Sequence, residues 1–351
     1  MPVSDHQHRL TRPEKSPLRQ EHNVVSGEFD RQRRASLLAQ LPLESQPFLY
    51  FTPIMRTFFL FAIATAILSA CEKPSTQTHA PRGDSKTVLT TFYPTQYFAE
   101  RIAGEHLTVE CPVPAGADPI FWRPDSAALQ RYQAADLIII NGADFEKWTA
   151  TASLPENRIV DTAKSFEQDF IEFEGETTHK HGKDGEDHTH SGIDGHTWLD
   201  PNHAKVQAAA IHQAFAKKWP AHAADFEANF KSLVTDLDAL DQAFKDLNLQ
   251  APLLASHPAY NYLARRYGWK VTSLDLDPET MPAKDAIGAD HPAKIILWEA
   301  EPREMIVSLL EKTHALKSIV FSPVEMEGEQ DYLATMNANI ERLKQAVAAS
   351  E

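Results

Sequence analysis

Residues 220–247 read PAHAADFEANFKSLVTDLDALDQAFKDL. Phe226, Phe230, Leu233, Leu237, Leu240, Phe244 and Leu247 recur at spacings of four and three, which is one narrow apolar stripe on a helix. At ~1.5 Å per residue such a helix is about 40 Å long, enough to span a small domain. Pro220 suits its first turn. A helix of this kind can cover a sheet, form a coiled-coil segment, or act as a rigid strut between two lobes. The flanking sequence bears on that choice.

Upstream, 87–92 reads as a strand. Pro94 opens a helix that Gly104 is placed to end. Residues 107–113 form a second strand, and a helix begins near Asp125 with Leu129 and Tyr132 on one face. Asp136-Leu137-Ile138-Ile139-Ile140 is a short continuous apolar run, the pattern of a buried parallel strand. A weaker strand follows at 158–161. Downstream, 252–256, 269–274, 294–299 and 317–322 are short apolar runs. Between them fall helical stretches at 259–267, closed by Gly268, near 284–290, and at 302–313, with a terminal helix over 331–348. Strand–helix alternation on both sides implies α/β architecture: two lobes, each a parallel sheet flanked by helices, joined by the long helix. The expected boundaries are 87–219 for the N-terminal lobe, 220–249 for the linking helix and 250–351 for the C-terminal lobe. In open parallel sheets ligands bind at the carboxyl ends of strands, and His257, Glu299 and Ser322 fall there.

The chemistry concentrates in 179–201, HKHGKDGEDHTHSGIDGHTWLDP. His179, His181, His188 and His190 lie in a polar segment, 174–193, with too little apolar content to pack, and so are expected on a mobile surface loop. The segment tightens at Gly195-His196-Thr197-Trp198-Leu199-Asp200-Pro201, where Trp198 and Leu199 can be buried around an ordered His196. Neutral imidazole is the commonest protein metal ligand and suits zinc above the hard cations.

The rest of the chain bounds the setting. With 351 residues, 42% hydrophobic and 24% charged, it has the composition of an ordinary globular protein. A formal net charge of −15 argues against nucleic acid and against an anionic membrane surface. Two cysteines, Cys71 and Cys111, make no disulfide framework. Residues 1–54 are polar and without sustained period, and read as disordered or as an extension from an early start codon. Residues 55–70 read as a secretory signal: Arg56 precedes an apolar core, 57–68, far short of the roughly 20 residues a membrane span needs. Leu68-Ser69-Ala70-Cys71 resembles the bacterial lipoprotein signal, whose cysteine is lipidated and becomes the mature N-terminus. Residues 71–86 then form a polar tether.

From about Thr87 onward the chain resembles the zinc- and manganese-binding receptors of bacterial ABC importers. The matching pieces, in the family's order, are Pro114-Ala115-Gly116-Ala117-Asp118-Pro119, Ala135-Asp136-Leu137-Ile138-Ile139-Ile140-Asn141-Gly142, the histidine loop, His196-Thr197-Trp198-Leu199-Asp200-Pro201, Ser256-His257-Pro258-Ala259-Tyr260, and Asp331-Tyr332-Leu333 with Met336 and Asn339. The resemblance implies two α/β lobes joined by one backbone helix, with metal held in the cleft and passed to an importer permease. It further implies a monomeric receptor, not an enzyme, held outside the cytoplasm by a lipid anchor at Cys71, which is its only membrane attachment, and with no nucleic-acid partner.

Residue by residue, His196 and His257 match two metal ligands. The family's first ligand histidine is replaced here by Ile120, and its C-terminal aspartate by Ser322. Zinc sites want four donors, or three plus water. Glu325, three residues past Ser322, is the first candidate replacement and Glu299 the second. Asp194 and Asp200 are candidates to orient His196 from behind, as carboxylates do for ligating histidines. Zinc is the expected metal and manganese the alternative. Two other readings remain: a surface lipoprotein with a degenerate cleft acting as metal buffer or adhesin, and a zinc hydrolase. The hydrolase reading has no His-Glu-x-x-His, Gly-x-Ser-x-Gly or phosphate-loop motif behind it.

Overall fold

The computed structural model describes residues 86–350 except 174–176, 180–187, 191, 284 and 289–290, with backbone alone at 177–179 and 188–190. The expected extension, signal, lipidated Cys71, most of the tether and His181 lie outside the described residues.

The N-terminal lobe begins with β1 (Thr87–Thr90) and α1 (Tyr93–Ala103), whose first turn carries Pro94 and which ends at Gly104 with φ 55°. The next strand is shorter than expected: β2 covers Thr108–Glu110 alone. Pro112 and Pro114 follow, and each lacks the N–H that a longer ladder would need. In α2 (Ser126–Ala134), Asp125 caps the first turn by accepting from Ala128 N at 2.8 Å. Then come β3 (Leu137–Ile140) and β4 (Ile159–Asp161). All four strands are parallel, in the order β2-β1-β3-β4.

The histidine segment is not wholly irregular. The backbones of β5 (Thr177–His179) and β6 (His188–His190) pair antiparallel, with His179 opposite His188. The base of this hairpin is closed by Phe173 N donating to Gly192 O at 2.8 Å and by a bridge between Glu172 and Ile193. The sequence reading did not foresee these paired strands, because backbone pairing needs no apolar side chains.

Next come α3 (Pro201–Lys218) and α4 (Ala223–Asp246), separated by one 3₁₀ turn at Pro220–His222. The strut is therefore one of an antiparallel pair. Phe215 meets Phe226, His212 stacks on Phe230 at 4.9 Å, and Lys205 pairs with Asp238 at 2.5 Å. On α4, Phe226, Leu233, Leu237, Leu240 and Phe244 are buried, as the stripe requires.

The C-terminal lobe holds β7 (Leu253–Ala255), α5 (Asn261–Tyr267), β8 (Val271–Ser273), β9 (Ile295–Trp298), α6 (Glu304–His314), β10 (Lys317–Val320) and α7 (Tyr332–Ala348). Its sheet, also parallel, runs β10-β9-β7-β8. The helix expected near 284–290 is not formed at the described residues 285–288, which make a turn and bends. A short stretch holding Gly288 between Pro282 and Pro292 cannot offset the cost of nucleating a helix.

One core runs through both lobes, joining Phe98 of α1, Phe215 of α3, Leu237 of α4, Leu297 of β9 and Tyr332 of α7. Tyr332 crosses back to the first lobe, its ring 5.6 Å from Tyr97 and 5.1 Å from Phe98. Arg266 of α5 adds a polar clamp, 2.8 Å from Asp241 on the strut and 3.1 Å from Asp200 at the start of α3.

Candidate metal centre

His196 lies in the turn leading into α3 and is 1% exposed. Its position begins with Gly195: a Cβ there would come within 3.0 Å of the Phe145 ring and 3.2 Å of the Phe145 Cα, so any side chain would have to push Phe145 aside. The Phe145 ring stands edge-on to both His196 and Trp198. Phe145 is in turn fixed by its neighbour Glu146, which is buried. That carboxylate accepts Asn141 N at 2.6 Å, Gly142 N at 3.2 Å and the Thr91 hydroxyl. Burial, only partly offset by these donors, pushes the Glu146 carboxyl up to about 7.

Behind His196, Asp194 fixes the ring. Its Oδ1 takes the imidazole Nδ1–H at 2.7 Å and the His196 backbone N–H at 3.0 Å, leaving Nε2 to face the cleft. Asp194 is itself fully buried and held, with Asn261 Nδ2 on Oδ2 at 2.9 Å and the Tyr262 hydroxyl on its carbonyl at 2.8 Å.

His257 stands just past the carboxyl end of β7, 2% exposed, and its ring meets that of His196 at 5.6 Å and 79°. Glu299, just past the end of β9, places Oε2 3.5 Å from His257 Nδ1. The last participant comes from the loop after β10. Ser322 donates its backbone N–H to Asn339 Oδ1 at 3.1 Å and accepts Asn339 Nδ2 on its carbonyl at 2.8 Å. Its hydroxyl accepts Val324 N at 3.2 Å. Val324 is buried with φ 61°, a left-handed conformation that a β-branched residue adopts only under strain, of order 1–3 kcal/mol. This kink swings Glu325 inward until Oε1 is 3.0 Å from His196 Nε2. Trp198 ties the two loops together: its Nε1–H donates to Pro323 O at 2.7 Å, and its own carbonyl accepts the Tyr332 hydroxyl at 2.7 Å.

His196, His257 and Glu325 thus each offer one donor atom, all within 4.8 Å of one another. Two nitrogens and one carboxylate oxygen form a set that suits a borderline divalent metal. Burial pushes the His196 imidazole pKa down, but Asp194 and Glu325 outweigh it and carry it up to about 10.

Ile120 is buried and walls a recess of about 20 Å³ beside His196, room for about one water. Glu325 also lines a cavity of about 590 Å³ with Phe92, Tyr93, Cys111 and Glu327.

Of the residues singled out from sequence, His196, His257 and Glu325 come together, with Asp194 behind His196. Glu299 adjoins His257 but does not join the trio. Asp200 is engaged elsewhere, capping α3 through Asn202 N at 2.8 Å and pairing with Arg266. His203 is buried and stacks on Phe166 at 4.3 Å. The side chains of His179, His188 and His190, and all of His181, lie outside the described residues. Sequence reasoning missed Phe145, Glu146, Asn261 and Tyr262. Asn261 carried a usable signal, directly following Ser256-His257-Pro258-Ala259-Tyr260. Glu146 carried none, since a lone glutamate does not advertise its burial.

Comparison with known proteins bears on the family and the fold. A family model described as zinc-uptake complex component A, periplasmic (ZnuA), matches residues 88–346. The zinc-binding lipoprotein AdcA of Streptococcus pneumoniae TIGR4 is 29% identical over 311 residues, covering 82% of this chain and 60% of that protein. The high-affinity zinc uptake system protein ZnuA of Bacillus subtilis is 27% identical over 308 residues, covering 82% and 96%. The chain therefore spans about three-fifths of the pneumococcal relative but nearly all of the Bacillus one. Among solved structures, the metal-dependent lipoprotein YcdH of Bacillus subtilis superposes with a TM-score of 0.64 at 24% identity, covering 74% of this chain and 98% of that one, which shows the shared fold. With the family model matched over nearly every described residue, the chain belongs to the ZnuA family, the periplasmic component A of zinc-uptake complexes.

Proposed function

We propose that this protein is an extracytoplasmic receptor that captures zinc in the cleft and delivers it to the permease of an ABC importer. The observation that carries the reading is the convergence of His196, His257 and Glu325, from separate loops of both lobes, on one small volume. The relatives' names, zinc-binding lipoprotein and zinc uptake protein, support the same cargo. Zinc would take His196 Nε2, a ring nitrogen of His257 and a carboxylate oxygen of Glu325. A water is the natural fourth donor, since zinc accepts three protein ligands plus water. Two imidazoles favour zinc over manganese, which prefers oxygen. Glu299 then acts as the carboxylate that orients His257, matching Asp194 at His196, and not as a ligand. Nothing in this scheme calls for a nucleophile or a general base: the site binds and releases.

The receptor reading also supports a monomer held to a bacterial membrane by lipid on Cys71. Among the described residues no helix is long and apolar enough to cross a membrane.

The test is zinc affinity by competition with a chelator. His196→Ala, His257→Ala and Glu325→Ala should each weaken binding by more than the roughly 10–100-fold typical of losing a supporting contact, whereas Glu299→Gln and Asp194→Asn should fall within that range. Unchanged affinity in Glu325→Ala, with Glu299→Ala losing zinc, would reverse the two carboxylates' roles. Full affinity in both histidine variants would remove the cleft site altogether.

A further inference from the structure

A second cluster of metal-ligating side chains lies away from the cleft. His106 sits in the turn between α1 and β2, His222 in the 3₁₀ turn before α4, and Asp225 in the first turn of α4. Lys86 and His106 both precede strands of the parallel sheet, so this cluster lies at the sheet's amino edge, while the cleft lies at its carboxyl edge.

Its donor atoms lie within 4.8 Å of one another. His106 Nε2 is 2.9 Å from Asp225 Oδ2, and the His106 and His222 rings stack at 4.1 Å. Donors around a tetrahedral zinc sit about 3.3 Å apart, from bonds of about 2.0–2.1 Å, so small side-chain rotations bring these three into range. The backbones beneath them are fixed. Asn229 of α4 donates to Ile102 O at 3.2 Å, clamping the strut to the end of α1. Gly104 makes that clamp possible, since a Cβ there would lie 3.0 Å from Asn229 Nδ2. Buried Phe226 packs edge-on against His106 from below. A cationic group already sits at the cluster: Lys86 Nζ lies 2.6 Å from His222 Nε2, which therefore presents a lone pair and not a proton to the ammonium.

We propose that His106, His222 and Asp225 form a second, weaker binding site for zinc or a similar borderline divalent cation, in which the metal displaces the Lys86 ammonium from His222. Two imidazoles with one carboxylate select such metals over calcium or magnesium. Partial exposure and competition from Lys86 make the site weaker than the cleft. The inference does not rest on the cleft reading, because it shares no residue with it.

The experiment is zinc titration of the full chain by calorimetry, paired with anomalous diffraction at the zinc edge from crystals soaked in zinc chloride. The wild type should show an anomalous peak between His106 and Asp225. His106→Ala/His222→Ala should lose one equivalent of weakly bound zinc while the tight equivalent keeps its affinity. Asp225→Asn, nearly isosteric, should weaken the same equivalent severalfold, so the proposal stays testable if the double variant does not fold. Lys86→Ala should tighten it severalfold, the opposite sign. Absence of the peak, or a weak-site stoichiometry indifferent to Asp225→Asn and Lys86→Ala, would overturn the proposal and leave the cluster as a polar tie between α1 and α4.

Discussion

His196 cannot hold a proton and a zinc ion on the same nitrogen. Its imidazole, pushed down by burial but raised further by Asp194 and Glu325, reaches a pKa of about 10. In the unfolded chain the value is near 6.5. The folded value is the higher one, so the metal-free protein carries extra stability that is complete below pH 6.5 and is lost as pH rises toward 10. Zinc must displace the proton shared between Nε2 and Glu325. Binding at pH 7 should therefore release about one proton from His196, seen as a dependence of the calorimetric heat on buffer ionisation enthalpy. The affinity should climb with pH across the same interval. A heat independent of buffer would show His196 already neutral and the carboxylates overrated. Much of this residue-scale picture was legible in sequence, because His196 and His257 stand in recognisable motifs at strand or loop ends. What replaces the missing aspartate was legible only as a choice between Glu325 and Glu299. The choice turns on the left-handed Val324, and nothing in the letters Ser-Pro-Val-Glu announces a strained φ.

Among the elements, the loop from Asn141 to Glu146 contributes most to the site without touching metal. It carries Phe145, the wall against Gly195, His196 and Trp198, and it is held by one buried carboxylate. Glu146 has a folded pKa of about 7 against an ordinary 4.5. Its contribution to stability is complete below pH 4.5 and is lost as pH rises through 7, by about 3 kcal/mol if nothing relaxes. Glu146→Gln should flatten that part of the stability–pH curve relative to wild type, measured by denaturant unfolding at pH 5 and pH 7.5. Identical slopes in both proteins would mean that the carboxyl is ionised throughout. Glu146→Ala should go further, orphaning the backbone N–H groups of Asn141 and Gly142 and leaving the Thr91 hydroxyl with Ile139 O alone. We expect a loss of about 3 kcal/mol or more, with weaker zinc binding as Phe145 shifts. The strands and the strut were readable because continuous apolar runs and a four–three stripe are each produced by one kind of burial. Helix α3 had no extent in the sequence reading because its buried face mixes Ala204, Gln207, Ala208 and His203 with only Ile211 and Phe215. The helix expected near 284–290 was overread, since a few helix formers between two prolines satisfy the pattern without satisfying nucleation.

At the scale of the whole molecule the question is which of the chain's histidines hold the metal that counts. A net charge of −15 draws cations to the protein generally, and the segment 174–193 adds four imidazoles that could concentrate them. Backbone hydrogen bonds close the base of that segment. Asp194 N donates to Ile171 O at 2.7 Å and Phe173 N to Gly192 O at 2.8 Å, so the chain is closed backbone to backbone before the hairpin departs. Asp194 is then held from the other lobe by Asn261 and Tyr262. Replacing 174–191 by a short glycine linker should therefore leave the base pairing, Asp194 and His196 undisturbed. The shortened protein should lose loop-bound zinc but keep one tight equivalent. It should still be stabilised by about 2.7 kcal/mol at a hundredfold excess of zinc over the dissociation constant, since metal that binds only the folded state stabilises it by mass action. The cleft should supply that tight equivalent, because His196, His257 and Glu325 are already brought together by the folded core. A shortened protein that folds but shows no zinc-dependent stabilisation would place the principal site in the hairpin. Ile120 and Ser322 would then mark a cleft that has given up its metal.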